Sequence, residues 1–130
     1  MSMRGLRLLV GGGLGLLMIA PVSAHHSFAA EYDSTDPLSV SGVVTRIEWT
    51  NPHAYIYVDV KDDSGKLVNW AFEGYPPNTL KRTGFTRDSV KAGDAITITG
   101  YHARDRSNRA AGREITLPDG KKIFLGPSGQ

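Results

Sequence analysis

The stretch Ala54–Val60 alternates apolar and polar residues without a break, and that period of two fixes the kind of fold this chain can enter. Ala54, Ile56, Val58 and Val60 share one side, and Tyr55, Tyr57 and Asp59 share the other. This is the pattern of a half-buried strand, since successive strand side chains point to opposite faces. The same period appears upstream, where Val43, Thr45, Ile47 and Trp49 fall on one face and Val44, Arg46 and Glu48 on the other. Between the two runs, Thr50-Asn51-Pro52-His53 reads as a turn, because Pro52 fixes its own φ and pushes Asn51 to an extended conformation. Asp62-Asp63-Ser64-Gly65 supplies hairpin chemistry, with Gly65 free to take a positive φ. Leu67–Phe72 then returns as a third strand with Val68, Trp70 and Phe72 on one side.

A short helix is expected over residues 79–83, with Asn78 as its N-cap and Gly84 closing it. A fourth strand is expected over Ala95–Tyr101 and a last hairpin around Pro118-Asp119-Gly120, with Arg104–Gly112 as a polar loop. Three meandering strands, a helix and two or three further strands form the element order of an OB-like, partly open β-barrel. The fold class read from the sequence is therefore all-β with one short helix, in five to six strands. A small β-sandwich is the competing architecture. Residues 40–126 would make the barrel, and 25–39 an irregular N-terminal arm.

Residues 1–24 carry the marks of a secretory signal peptide: Arg4 and Arg7, an apolar run from Leu8 to Ala20, and the small residues Val22-Ser23-Ala24 before a cut. A cut after Ala20 would put Pro21 first, which disfavours it. The apolar run, about 13 residues long, falls short of the roughly 20 needed to span a bilayer, so no membrane insertion is expected once the signal is removed. A periplasmic or secreted location follows. The formal charge of +2 belongs wholly to Arg4 and Arg7; what remains is neutral, which argues against nucleic acid as a partner. With no cysteine in the chain, a disulfide framework, thiolate metal ligands and thiol catalysis are all excluded. A domain of roughly 100 residues must then be held by its core alone.

Cleavage after Ala24 would leave a free amine on His25 with the imidazole of His26 directly behind it. Clustered nitrogen donors suit Cu(II), Ni(II) or Zn(II). An N-terminal histidine that chelates through amine and imidazole, opposed by a second imidazole, forms the T-shaped set called a histidine brace, and copper is the expected metal. His25, His26, His53 and His102 are the candidate ligands, with His53 on its turn and His102 just past the fourth strand. Glu31, Asp33 or Glu48 are placed to orient an imidazole from outside. The alternative candidates are Tyr55, Tyr57 and Trp70, as an aromatic surface for a peptide, glycan or partner protein. No catalytic constellation is found: Glu48 and Glu73 each end a strand and read as rim charges, and Ser27 beside His26 lacks a nucleophile elbow. A binding protein is expected rather than an enzyme.

Three segments also carry a resemblance. Ala24-His25-His26-Ser27-Phe28-Ala29-Ala30-Glu31-Tyr32-Asp33, Glu48-Trp49-Thr50-Asn51-Pro52-His53-Ala54 and Asn69-Trp70-Ala71-Phe72-Glu73 resemble a family of small secreted bacterial proteins of unknown function. The resemblance implies export and a single small β domain, and it brings no activity or site residues with it.

Overall fold

A computed structural model of the chain describes residues 28–127. Residues 28–31 are helical and lead into β1 (Tyr32–Glu48), β2 (Tyr55–Lys61), β3 (Leu67–Glu73), helix α1 (Pro77–Thr83), β4 (Ala95–Ala103), β5 (Arg109–Thr116) and β6 (Lys122–Phe124). The six strands form one sheet in the order β3-β2-β1-β4-β5-β6, and a further pairing of β3 with β5 brings it round into a ring. That pairing is parallel, and every other one is antiparallel. The chain is thus all-β with one short helix, in an OB-like, partly open barrel. No helix among the described residues is long and apolar enough to cross a membrane.

The hairpin of β2 and β3 forms as the alternation requires. Asp62 accepts hydrogen bonds from the Ser64 and Lys66 backbone N–H groups at 2.9 and 3.0 Å, and Gly65 takes a φ of 82°. The register then runs unbroken from Lys61↔Leu67 to Tyr55↔Glu73. Ile56, Val58 and Phe72 face inward and are fully buried.

β1 departs from simple alternation. Val44 is opposite Val58, but Arg46 is opposite Tyr57, so Thr45 is an extra residue on its strand. This bulge slides the side-chain phase by one position. Val44 therefore enters the core and Val43 turns out to solvent, the reverse of the faces read from the sequence, while Ile47 and Trp49 still pack against the core. The strand also begins earlier than the expected arm allows, at Tyr32↔Ala103. Residues 33–36 arch away before pairing resumes at Pro37↔Tyr101, with Asp33 accepting from the Thr35 N–H and hydroxyl at 3.0 and 2.6 Å.

The helix is capped differently from the expectation. Pro76 is the N-cap residue with no side-chain bond, and Pro77 occupies the first turn, where a missing N–H costs nothing. Gly84 closes it in the left-handed region at φ 94°. Leu80 and, just beyond, Phe85 are fully buried and plug the barrel. The expected loop over 104–112 is strand from Arg109 onward, because Ala110, Ala111 and Gly112 are small enough to pass between β3 and β4 and are buried there.

β1 serves two neighbours. Up to Val43 it pairs with β4, and from Val43 onward it pairs with β2. At the changeover stands Gly42, where a Cβ would lie 2.2 Å from the Asp59 carbonyl oxygen and 2.9 Å from Val58 Cγ1. Only glycine fits so close to a backbone atom. Gly42→Ala should destabilise the fold by at least about 1–3 kcal/mol, the usual cost of overpacking, read as a lowered thermal midpoint with an unchanged far-ultraviolet spectrum below it.

Candidate functional site

At one end of the barrel the start of the described chain, the turn after β1 and the end of β3 enclose a cavity of about 460 Å³, lined among others by Phe28, Glu31, Tyr32, His53, Tyr55 and Glu73. Each wall is fixed by backbone pairing. The turn carrying His53 is tied to the end of β3 by Gly74 N–H on the Ala54 carbonyl at 2.8 Å and Ala54 N–H on the Tyr75 carbonyl at 3.3 Å. Phe28 is anchored by rings, with centroids 5.6 Å from Tyr32 and 6.1 Å from Tyr101.

Glu73 is the hub. Its Oε1 lies 2.7 Å from His53 Nδ1, and its Oε2 accepts the hydroxyl of Tyr32. Arg109 Nη2 donates to that hydroxyl oxygen at 3.3 Å and lies 3.5 Å from a carboxylate oxygen of Glu31. The Glu73 side chain is 14% exposed and that of His53 is 43% exposed, so the carboxylate is sheltered while the imidazole reaches solvent. Among the described residues, His53 Nε2 has no hydrogen-bond partner. Burial, reinforced by Glu73, holds the Tyr32 phenol well above the usual tyrosine range, and burial followed by Glu73 also raises Tyr55.

The other candidates sit apart. His102 is near the C-terminal end of β4, on the face opposite the cavity, with its ring 5.3 Å from that of Trp70. Its Nδ1 lies 3.2 Å from Asp36 and its Nε2 is 3.0 Å from the Ser107 carbonyl. Both nitrogens are committed to joining the 33–36 arch to the β4–β5 connection. Arg106 reinforces the arch by pairing with the same Asp36 carboxylate. Trp70 does not join Tyr55 and Tyr57: it pairs with Val58 on the inner face, whereas the tyrosines point outward with centroids 6.4 Å apart. The Arg46 guanidinium covers the Tyr57 ring at 4.1 Å and pairs with Glu48 at 2.9 Å. His25 and His26 lie outside the described residues. Among the described residues, no three His, Cys, Asp or Glu side chains converge as a metal site.

Glu73, read from the sequence as a rim charge, is the residue that orients His53, in place of Glu31, Asp33 or Glu48. The hairpin register could have found it. With the turn fixed at Asp62–Gly65, counting back along both strands puts Glu73 opposite Tyr55, two residues past His53.

The fold and the site thus define a small barrel with a sheltered carboxylate–imidazole pair at one end. The chain belongs to a family of unknown function, DUF6152, whose match covers residues 16–113. That span includes Ala24-His25-His26, His53, Glu73 and Arg109 and stops short of β6. No curated protein matches the chain.

The raised Tyr32 phenol gives a pH prediction. A group whose folded value is raised contributes stability that is fully present below its ordinary value of about 10 and is lost as pH climbs through the folded value. Tyrosinate absorption should therefore show one phenol ionising later than the others, together with loss of structure, and Tyr32→Phe should remove that last step.

Proposed function

We propose that this protein is exported and acts as a small metal-binding protein, taking Cu(II) at an N-terminus exposed by cleavage after Ala24. His25 supplies its amine and imidazole, His53 the opposing imidazole through Nε2, and His26 assists or faces solvent. The observation that carries the proposal is that Phe28 and His53 line the same cavity. Residue 25 is three positions from Phe28, a reach of roughly 10 Å at most along an extended chain. An amino end that close to Phe28 falls beside the cavity that His53 lines. Three nitrogens in one plane match the tetragonal preference of Cu(II).

His102 is left out of the ligand set because each of its nitrogens already faces an acceptor oxygen, one of Asp36 and one of Ser107. A site of one terminal amine and two imidazoles suits carriage or buffering of the metal rather than turnover. A peptide or glycan seated on strand aromatics has less support. Trp70 faces away from the tyrosine pair, and Arg46 occupies one face of Tyr57.

The test compares four proteins by Cu(II) titration, with visible absorption and paramagnetic resonance as readouts: the chain beginning at His25, the same chain with its amine acetylated, His53→Gln and His102→Gln. Acetylation and His53→Gln should each weaken binding by about 10-fold or more, and His102→Gln should leave it unchanged. Binding should also weaken below the ordinary α-amine pKa of about 7.7–8.0, because the metal must displace that proton. Equal binding by the first three proteins, or none by any, overturns the proposal. Loss on acetylation alone overturns the role of His53.

A further inference from the structure

The geometry points to Glu73, backed by Tyr32 and Arg109, as a positioning residue that fixes His53 in the Nδ1–H tautomer and leaves the Nε2 lone pair free to bind. A neutral imidazole carries one proton, and the hydrogen bond made by one ring nitrogen decides which nitrogen holds it. A carboxylate can only accept. Glu73 Oε1 lies 2.7 Å from Nδ1 as an ion-pair contact, and a lone pair on Nδ1 facing a carboxylate oxygen at that distance is repelled, so the proton of neutral His53 belongs on Nδ1 and the lone pair on Nε2. Free histidine prefers the opposite tautomer, so the carboxylate imposes this one.

Glu73 is itself held so that it cannot turn away. Its second oxygen accepts from the Tyr32 hydroxyl, whose oxygen in turn accepts from Arg109. The three residues come from β3, β1 and β5. Glu73 lies opposite Ala111 across the parallel pairing, two positions along from Arg109 opposite Ala71. The carboxylate is thus locked by the same ladder that closes the barrel. His53 belongs to a turn, and without this chain its ring would rotate on a side chain that is nearly half exposed. Carboxylate partners of this kind fix the tautomer and the ring orientation of metal-binding histidines, and losing one typically costs 10–100-fold in affinity. The metal part of the inference rests on the proposed function, whereas the tautomer does not.

The two can be separated by experiment. Long-range nitrogen–proton spectra of the metal-free, ¹⁵N-labelled protein, recorded about two pH units above the ordinary imidazole pKa of about 6.5, report which nitrogen of His53 is protonated. The wild type and Glu73→Gln, which keeps an acceptor oxygen, should show the Nδ1–H form. Glu73→Ala should revert to Nε2–H, and Tyr32→Phe should give a mixture. Cu(II) titration should show Glu73→Ala weakened 10–100-fold and Glu73→Gln within a few-fold of wild type. Circular dichroism and the thermal midpoint identify any variant that fails to fold, and the wild-type tautomer is then decisive by itself. An Nε2–H tautomer in the wild type overturns the inference, as does a Glu73→Ala protein that folds, reverts in tautomer and binds Cu(II) as tightly as wild type. The Nδ1–H tautomer in a wild type that binds no Cu(II) upholds the positioning of His53 and overturns the metal site.

Discussion

The parallel pairing of β3 with β5 is the constraint on which the rest depends. It brings Phe72 against Ala110 and Glu73 against Ala111, and it begins with the Ala71 N–H on the Asn108 carbonyl at 3.0 Å. The pairing needs small residues on the incoming strand, because β5 must also lie against β4. Ala110, Ala111 and Gly112 meet that demand and are buried. A Cβ on Gly112 would stand 3.2 Å from the Glu73 carbonyl oxygen. Closing the sheet this way buries Ile98, Ile115 and Leu125 from its second half against Val44, Val58 and Phe72 from its first. Each such side chain contributes about 1.5–3 kcal/mol on burial. In a chain without cysteine, that core holds the fold.

The same closure builds the site. Arg109, Tyr32 and Glu73 lie far apart in sequence and on three strands, and none of them can meet until β5 docks. The site is therefore a by-product of the ring. His53, on a turn, is then captured by an oxygen that the ring has already fixed. The opposite face of the same part of the sheet, one ladder position from the Glu73 row, shows the contrasting use of histidine. There His102 spends both nitrogens on a carboxylate and a carbonyl, joining the arch in β1 to the connection between β4 and β5. The two histidines are alike in the sequence and differ only in whether a nitrogen is left over.

What the sequence made legible follows from how local the signals were. The alternation of Ala54–Val60, the Asp62–Gly65 turn and Gly84 after the helix each act over a few residues, and each formed as expected. The order of these elements was enough for the OB-like class. What escaped depended on contacts across the sheet. Thr45 has no composition that marks a bulge, yet it reverses the faces of Val43 and Val44. Arg104–Gly112 looks like a loop because the segment as a whole is polar, and its last four residues become strand only because two neighbours crowd them. Pro77 in the first turn outweighed Asn78 as a start signal. At the site, His53 was visible as a candidate ligand on its turn, but Glu73 looked like one more charge at a strand end until the hairpin register was counted through.

Glu73 also shapes the site by what it withholds. Both of its oxygens are taken, one by an imidazole and one by a phenol, and Glu31 on the cavity wall leans toward a guanidinium. Calcium and magnesium are hard ions that need a cage of six or more oxygens, and here they would meet oxygens already engaged and a bare nitrogen. By keeping its acidic groups occupied, the barrel leaves, among the described residues, no unengaged carboxylate of Glu31 or Glu73 on the wall of this cavity.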